Sequence, residues 1–302
     1  MIELYRIIEV INSMFKCKRC KKNSAERRGV QKNKSGWISR YFCKSCGKWF
    51  VDREGFERHR INSDIISLAL DLRAKGMSLA DVVDHLDQHH KTKVTRQTIA
   101  NWQSKFGKKL NSFTQNLVPI LGEVYHADEM FVKVNGEWNY NWSCLDYLTK
   151  FLVTQHFSHE RNDKEAVVFI GKVKSRTSKP PNEIHTDNSW DYHPAFRKYF
   201  PRNRKIHKHF PAWKMKFKNN PIERYFNTLK QRYKTMRGFD NTKSAENFFE
   251  FFGVYYNFIR KHTSIGKITP AQAANINLNL SRNRIKSMIK IKLIFLNFEF
   301  CN

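Results

Sequence analysis

Apolar and polar positions between residues 61 and 110 follow helical spacing. Apolar residues at positions 61, 65, 68 and 72 mark a first helix, and Ser78, with Asp81 three positions later, forms a variant of the capping box before a second. Thr95 precedes a third helix, whose apolar stripe consists of Ile99, Trp102 and Phe106. The pattern predicts three short helices joined by tight turns.

The pattern changes to short β runs after Pro119. The predicted elements are strands over 124–132, 138–145 and 151–157, a helix over 162–176, a strand over 182–188, a short helix over 194–200, a strand over 204–210, and a helix opened by Asn220 with Pro221 at its first position. Three strands, a helix, a strand, a helix, a strand and a helix is the element order of a ribonuclease-H-like fold. The sequence therefore predicts an α/β core with a mixed sheet flanked by helices.

Two CxxC pairs, Cys17–Cys20 and Cys43–Cys46, are separated by 22 residues near the start of the chain. Two such turns can supply four thiolates to a tetrahedral Zn²⁺. A glycine follows the second pair and suits a tight turn, and residues 37–42 have the β-rich composition of a hairpin arm. These features predict a small zinc ribbon in which the four cysteines hold a structural zinc ion.

The charge of the chain indicates its partner. Lys and Arg total 55 against 27 Asp and Glu, a net charge of +28, while a hydrophobic fraction of 40% is enough for a buried core. Such an excess suits a polyanion, because neutralised phosphates release counterions. We expect double-stranded DNA as the partner. Membrane-spanning helices need about 18 uninterrupted apolar residues, and the sequence has no such run, so we expect no membrane partner and a cytoplasmic, nucleoid-associated protein.

The three short helices are typical of a helix-turn-helix module. Near the start of the third helix, Gln and Asn can read base edges, and its basic side chains can reach phosphates. The candidate DNA-binding residues are Arg96, Gln97, Asn101, Gln103, Lys105 and Lys108. The alternative interpretation is a plain three-helix cap on the core that follows.

Three acidic residues lie on separate predicted elements of the core. Asp128 is on its first strand, Asp187 ends its fourth, and Glu223 is on its last helix, with 35 residues between it and Asp187. Carboxylate oxygens are the ligands that Mg²⁺ prefers, and two ions about 4 Å apart can stabilise both oxygens of an in-line phosphoryl transfer. Glu129 and Asp191 are the weaker alternatives, since strand alternation turns Glu129 away from the face of Asp128.

Basic residues surround the last helix of the core. Residues 201–240 contain 12 Lys and Arg against 2 acidic residues. Glu223, Asn227, Lys230 and Lys234 are spaced by four, three and four, so we expect them to share one helix face. A carboxylate beside two lysines suits a DNA backbone that crosses a metal site, with Lys230 and Lys234 on the phosphates.

Four segments resemble the successive motifs of DDE transposases with a retroviral-integrase core: HADEM, IHTDNSWDY, NNPIERYFNTLKQRYKTMRGF and YYNFIRKHTSIGKITPAQAA. The nearest branch is the sixth family of insertion sequences, whose members carry a zinc ribbon, a helix-turn-helix and a DDE core in this order. The resemblance covers about residues 15–275. It implies a two-metal enzyme, using Mg²⁺ or Mn²⁺, that nicks DNA at element ends and joins the 3′-hydroxyls to target DNA. It also implies a homodimer or higher homo-oligomer that pairs two ends.

These observations predict a domain order. The zinc ribbon occupies 1–60, the helix-turn-helix 61–115, the DDE core 118–275 and a basic, then apolar, tail 276–302. The tail runs past the usual end of the family, and Trp190 stands where relatives have a smaller residue. Two other functions remain possible interpretations of the sequence. One is a sequence-selective DNA-binding protein with a decayed core, and the other is a nuclease that hydrolyses DNA without joining it.

Overall fold

The computed structural model describes residues 15–33, 36–52, 55–57, 59–177, 179–210, 220–236 and 238–296. The chain forms two compact units. The first consists of Met1–Leu68 with Leu280–Asn302, and the second of Ala69–Asn279. The boundary between the units falls inside one helix, and the domain boundaries expected from the sequence stay a prediction.

The first unit contains a four-stranded antiparallel sheet in the order β1-β2-β3-β4. Its strands are β1 (Phe15–Lys16), β2 (Asn23–Asn33), β3 (Gly36–Cys43) and β4 (Trp49–Asp52). The small core of this sheet consists of Cys17, Ala25 and Cys43, with Cys20, Cys46 and Phe50 packed against it. A cluster of this size buries little apolar surface by itself.

The C-terminal helix belongs to the same unit, together with the start of helix α1 (Ser63–Lys75). This last helix spans Arg284–Leu296, and its residues Ile285, Met288 and Ile289 are buried. Lys286 forms an ion pair with Asp64 at 2.8 Å, and the side-chain amide of Asn283 donates to Ser67 Oγ at 2.9 Å. Residues 280–296 of the predicted tail are therefore part of the first unit.

The second unit includes the other two predicted short helices, α2 (Leu79–His90) and α3 (Arg96–Gln115). Both N-caps are confirmed: Ser78 and Asp81 form a reciprocal capping box, and Thr95 accepts from the backbone N–H of Thr98. Helix α3 packs closely on a later helix, α7 (Thr242–Val254). A Cβ atom at Gly107 would lie 3.1 Å from Cβ of Phe251, so a larger residue there would require the two helices to shift by a few tenths of an ångström.

A five-stranded mixed sheet forms the centre of the second unit. Its strands are β5 (Val124–Val134), β6 (Glu137–Asp146), β7 (Leu152–Ser158), β8 (Glu183–Asp187) and β9 (His207–Phe210), in the spatial order β7-β6-β5-β8-β9. The first three strands are antiparallel, whereas β8 and β9 run parallel to β5. Together with the intervening helices, this order is the predicted ribonuclease-H-like fold.

Helices cover both faces of this sheet. One face carries Tyr125, Ala127 and Trp142 against α4 (Asp163–Arg176) and α5 (Tyr192–Tyr199). The opposite face meets α6 (Asn220–Tyr233) and α7, where the Phe157 ring stacks on Phe249 with centroids 5.5 Å apart. The strands that carry Asp128 and Asp187 are therefore part of a packed core.

The remaining elements are short. They are 3₁₀ turns at Arg204–Ile206, Lys234–Met236 and Thr263–Ile265, a π-helical turn at Tyr255–Ile259 and helix α8 (Pro270–Ala273). The C-terminal helix, Arg284–Leu296, is α9. The predicted strand over 204–210 is wrong in its first half. Residues Arg204–Ile206 form a 3₁₀ turn with Ile206 buried in the core, and the strand begins at His207.

Candidate active site and metal centre

Asp128 and Asp187 lie on neighbouring parallel strands at equivalent positions. The paired residues of β5 and β8 run from Val124 opposite Glu183 to His126 opposite His185. Each aspartate follows its histidine by two positions on the same strand. Side chains two residues apart on a strand point to the same face. The ring centroids of the two histidines are 4.9 Å apart, so the aspartates extend a face on which the two strands already make contact.

The carboxyl group of Asp128 lies in an environment that disfavours its charge. Burial, together with the neighbouring carboxylate of Glu129, raises the pKa of Asp128 to about 8. Asp187 contributes further in the same direction. A divalent cation would remove this repulsion, so the charges and donor oxygens of the cluster fit a metal such as Mg²⁺.

Glu129 points to the other face of β5, into the core. It is 7% exposed, and its Oε2 accepts a hydrogen bond from the hydroxyl of the buried Tyr192 at 2.7 Å. Its Oε1 accepts from Nε of Arg161. Nη2 of Arg161 also donates to Oδ2 of Asp187 at 3.2 Å.

Arg161 and Tyr192 are site residues that the sequence analysis missed. Arg161 precedes helix α4, and Tyr192 begins helix α5. Their part in the site depends on contacts between residues more than twenty positions apart, which no local spacing indicates. The available signal was the pair of adjacent acidic residues, since a carboxylate on the core side of a strand requires a partner.

Glu223 is exposed in the first turn of α6. The buried side of this helix consists of Ile222, Tyr225, Phe226 and Leu229. Outside the cysteines, no group of three His, Cys, Asp or Glu among the described residues is close enough to share one ion. A pair of ions about 4 Å apart does not require such a group, because its carboxylates can stand on opposite sides of the pair.

The two predicted backbone-contacting lysines follow Glu223 along the chain. Lys230 is half-buried on α6, and Lys234 is exposed in the 3₁₀ turn that continues the helix. Trp190, in the loop after Asp187, is 80% exposed. Its ring centroid lies 5.0 Å from that of His193, so Trp190 is on the surface rather than in the packed core.

The predicted DNA-reading residues divide along helix α3. Arg96, Gln97 and Asn101 are exposed, and Nε2 of Gln97 donates to Oδ1 of Asn101 at 2.9 Å. Lys105 is half-buried, with its Nζ atom 5.7 Å from the centroid of the Phe106 ring. The first turns of the helix are therefore available to a ligand. The later turns bury one side of the helix, whereas Lys108 is exposed on the other side.

Gln103 corrects one of these expectations. Its side chain is buried, and Oε1 accepts a hydrogen bond from Nε of Arg73 at 3.1 Å. A buried guanidinium requires acceptors, and Arg73 also donates to the carbonyl oxygen of Met77 at 2.5 Å. Gln103 therefore holds helices together instead of facing DNA.

The four cysteines of the first unit converge on one point. All four sulfur atoms lie within 4.8 Å of one another. Sγ of Cys17 is 3.7 Å from that of Cys46, and Sγ of Cys20 is 3.6 Å from that of Cys43. Four sulfurs about 2.3 Å from a tetrahedral zinc ion would be about 3.8 Å apart. The donor set and its spacing fit zinc.

The turns around the cysteines explain this convergence. The N–H of Lys21 donates to the carbonyl of Cys17, and the N–H of Gly47 donates to the carbonyl of Cys43. In both turns the residue that follows the second cysteine is in the left-handed region, Lys21 at φ 62° and Gly47 at φ 63°. A hydrogen bond with Ser24 lowers the pKa of Cys43 to about 6, which favours the thiolate form that binds metal.

The five-stranded sheet has the ribonuclease-H-like order, and it carries Asp128 within β5 and Asp187 at the end of β8. Residues 122–262 match the family model described as a DDE domain. The matched segment contains Asp128, Asp187 and Glu223, and it is similar to the DDE domains of insertion-sequence transposases.

A similar protein is an uncharacterized protein of Methanocaldococcus jannaschii. It is 26% identical over 221 residues, covering 70% of this chain and 94% of that protein.

Solved structures show weaker similarity. A chain of the simian T-cell lymphotropic virus intasome, solved with a PP2A regulatory subunit, has a TM-score of 0.41 at 14% identity. The alignment covers 52% of this chain and 56% of that one, little more than half its length. The catalytic core of BIV integrase has a TM-score of 0.39 at 17% identity, covering 51% of this chain and 94% of that one. The HTLV-2 integrase catalytic core in complex with magnesium has a TM-score of 0.35 at 14% identity, and the alignment covers 52% of this chain and 98% of that one.

No helix in the described part of the chain is long and apolar enough to cross a membrane.

Proposed function

We propose that this protein binds the ends of an insertion sequence, nicks the DNA to expose 3′-hydroxyls and joins them to target DNA. The observation that supports the proposal best is the alignment of Asp128 and Asp187 on parallel strands of a ribonuclease-H-like sheet. Glu223, exposed on the helix that packs against this sheet, completes the acidic set.

The proposed roles follow from position and charge. Asp128 and Asp187 hold Mg²⁺ or Mn²⁺, and Glu223 completes the site. When bound, the metal would stabilise the attacking and leaving oxygens of an in-line displacement at phosphorus. Lys230 and Lys234 neutralise the DNA backbone beside these carboxylates, because lysine contacts to phosphate oxygens position a protein on DNA.

The amino-terminal part of the chain would recognise the element ends. Arg96, Gln97 and Asn101 are exposed on the first turns of α3, where Gln and Asn side chains can read base edges. We propose that Lys105 reaches a phosphate with its flexible end, and that the zinc ribbon adds electrostatic contacts. Joining two ends requires two copies, so we propose a homodimer or a higher homo-oligomer that acts at the nucleoid.

The test is a metal-dependent cleavage and strand-transfer assay on a labelled duplex that carries the element's own end. Wild type is compared with Asp187→Ala and with Asp163→Ala, a control that removes an exposed acid from the start of α4. We expect wild type and the control to nick and join with Mg²⁺ or Mn²⁺. Asp187→Ala should still bind DNA and lose at least about 10³-fold in cleavage, since metal stabilisation is worth several kcal/mol.

Two results would contradict the proposal. Wild type that binds the end and never cuts would indicate a DNA-binding protein with a decayed core. Wild type that nicks without producing joined molecules would indicate a nuclease.

A further inference from the structure

Four side chains form a continuous hydrogen-bonded series from the core to the candidate active site. The Tyr192 hydroxyl donates to Glu129 Oε2 at 2.7 Å, and Glu129 Oε1 accepts from Nε of Arg161. Nη2 of Arg161 donates to Oδ2 of Asp187 at 3.2 Å. The series begins at a fully buried phenol and ends at a half-exposed carboxylate.

Burial fixes the inner half of the series. The side chain of Glu129 is only 2% exposed, and an ionised carboxylate at such a position is costly without a charged partner. Arg161 supplies that partner. The planar guanidinium then has a defined orientation, because one edge is committed to Glu129 and the other faces Asp187.

The outer half of the series holds a carboxylate at both oxygens. Oδ2 of Asp187 accepts from Arg161, and Oδ1 accepts from the backbone N–H of Ser189 at 3.1 Å. Carboxylate oxygens have further lone pairs that remain available to a metal. Contacts of this kind around a ligand set its direction before a metal arrives.

We propose that Arg161 is a positioning residue, held by Glu129 and Tyr192, that orients the carboxylate of Asp187 for metal binding. This inference rests on the proposed function. Asp187 remains the ligand, and Arg161 acts through it. Glu129 supports Arg161 from the opposite face of β5, which gives a role to both members of the adjacent acidic pair.

A lysine cannot replace this arginine fully. An ammonium group is a point charge on a flexible stem, whereas the guanidinium bridges two acceptors in one plane. Arg161→Lys should therefore keep the charge balance with Glu129 and lose the directional hold on Asp187. Arg161→Lys therefore separates the orientation of the Asp187 carboxylate from the neutralisation of its charge.

The experiment measures Mn²⁺ binding to the full-length protein by calorimetry, without DNA, and the Mn²⁺ dependence of cleavage. Binding at the site is the difference between each protein and its Asp187→Ala version. The variants are Arg161→Gln, Arg161→Lys and the double variant Glu129→Gln with Arg161→Gln. The matched control is Lys164→Gln, which removes one exposed positive charge at the start of the same helix.

We expect Arg161→Gln to weaken Mn²⁺ binding about 10- to 100-fold, to raise the Mn²⁺ needed for half-maximal cleavage in parallel, and to leave DNA affinity unchanged. Arg161→Lys should fall between wild type and Arg161→Gln, and Lys164→Gln should match wild type. The double variant removes the buried charge of Glu129, which has no charged partner in Arg161→Gln. It should therefore recover thermal stability and still bind Mn²⁺ weakly.

Other results would overturn the inference. Unchanged Mn²⁺ binding in the double variant would show that Arg161 does not orient Asp187. Lost DNA affinity with a normal Mn²⁺ response would make Arg161 a phosphate contact. If wild type binds Mn²⁺ but never cuts DNA, the proposed function fails, while the calorimetry still tests the positioning role.

Discussion

The cysteine site and the carboxylate site differ in how the chain builds them. The cysteines occupy two four-residue turns at the ends of adjacent hairpin strands, and their sulfurs converge within 4.8 Å. The carboxylates come from two strands and a helix, with Asp128 and Glu223 95 positions apart in sequence. The first site is closed by local turns, and the second depends on the packing of an entire sheet.

This difference determines what each site does for stability. The sheet around the cysteines has a very small apolar core, so a bound zinc ion would supply folding free energy directly. The five-stranded sheet already has a large core under α4 and α5. It can therefore hold a carboxylate whose burial, together with repulsion from Glu129, costs stability, as the raised pKa of Asp128 indicates.

The largest expected effect comes from removing one cysteine. Cys43→Ser should abolish zinc binding and unfold the β1–β4 sheet, because structural zinc contributes about 10 kcal/mol or more to folding in such modules. The measurement is zinc content by atomic emission, together with proteolysis between residues 15 and 52. Cys144→Ala, a buried cysteine in the large core, is the control and should leave zinc content unchanged. Full zinc content in Cys43→Ser would contradict the predicted ligand set.

An intermediate effect is expected on acidification, which should affect the two regions differently. Burial lowers the pKa of His207 to about 3, against about 6.5 in the unfolded chain. The unfolded state therefore binds more protons between these values, so stability present above pH 6.5 is lost as the pH falls toward 3. The maximum loss from this group is about 1.4 kcal/mol per pH unit.

Urea unfolding from pH 7 to pH 4 measures this slope in the large core, while a chromogenic chelator reports zinc release from the ribbon. His207→Gln should flatten the unfolding slope without changing zinc release. The control is His90→Gln, an exposed histidine at the end of α2 in the same unit, which should retain the wild-type slope. Equal slopes in wild type and His207→Gln would rule out this histidine as a source of acid sensitivity.

The smallest expected effect compares the two cysteine turns with each other. Lys21 and Gly47 have the same left-handed backbone conformation, but a side chain there costs about 1 kcal/mol. Lys21→Gly should therefore strengthen zinc binding about fivefold, and Gly47→Ala should weaken it by a similar factor. Since a Cβ at Gly47 meets no atom within 4 Å, its effect would come from the backbone alone. Competition with a chelator measures both zinc affinities. Weaker zinc binding in Lys21→Gly, or stronger zinc binding in Gly47→Ala, would contradict the argument.

Local chemistry made much of the fold predictable. The N-caps at Ser78 and Thr95 were identified because capping uses side chains within three residues of the cap. Strand alternation correctly separated Asp128 from Glu129, because it depends only on backbone geometry. The strand over 204–210 was placed too early, since Ile206 is buried in a 3₁₀ turn by contacts with the core that no strand pattern reveals.

The sequence by itself determined the cysteine turns, the helix caps and the element order of the core, because each depends on neighbours along the chain. Tertiary structure decided which polar side chains serve the site. It buried Gln103 against Arg73 and brought Arg161 between Glu129 and Asp187. The physical reason is that a buried charge must find its partner in space, and its distance along the chain gives no indication of where that partner lies.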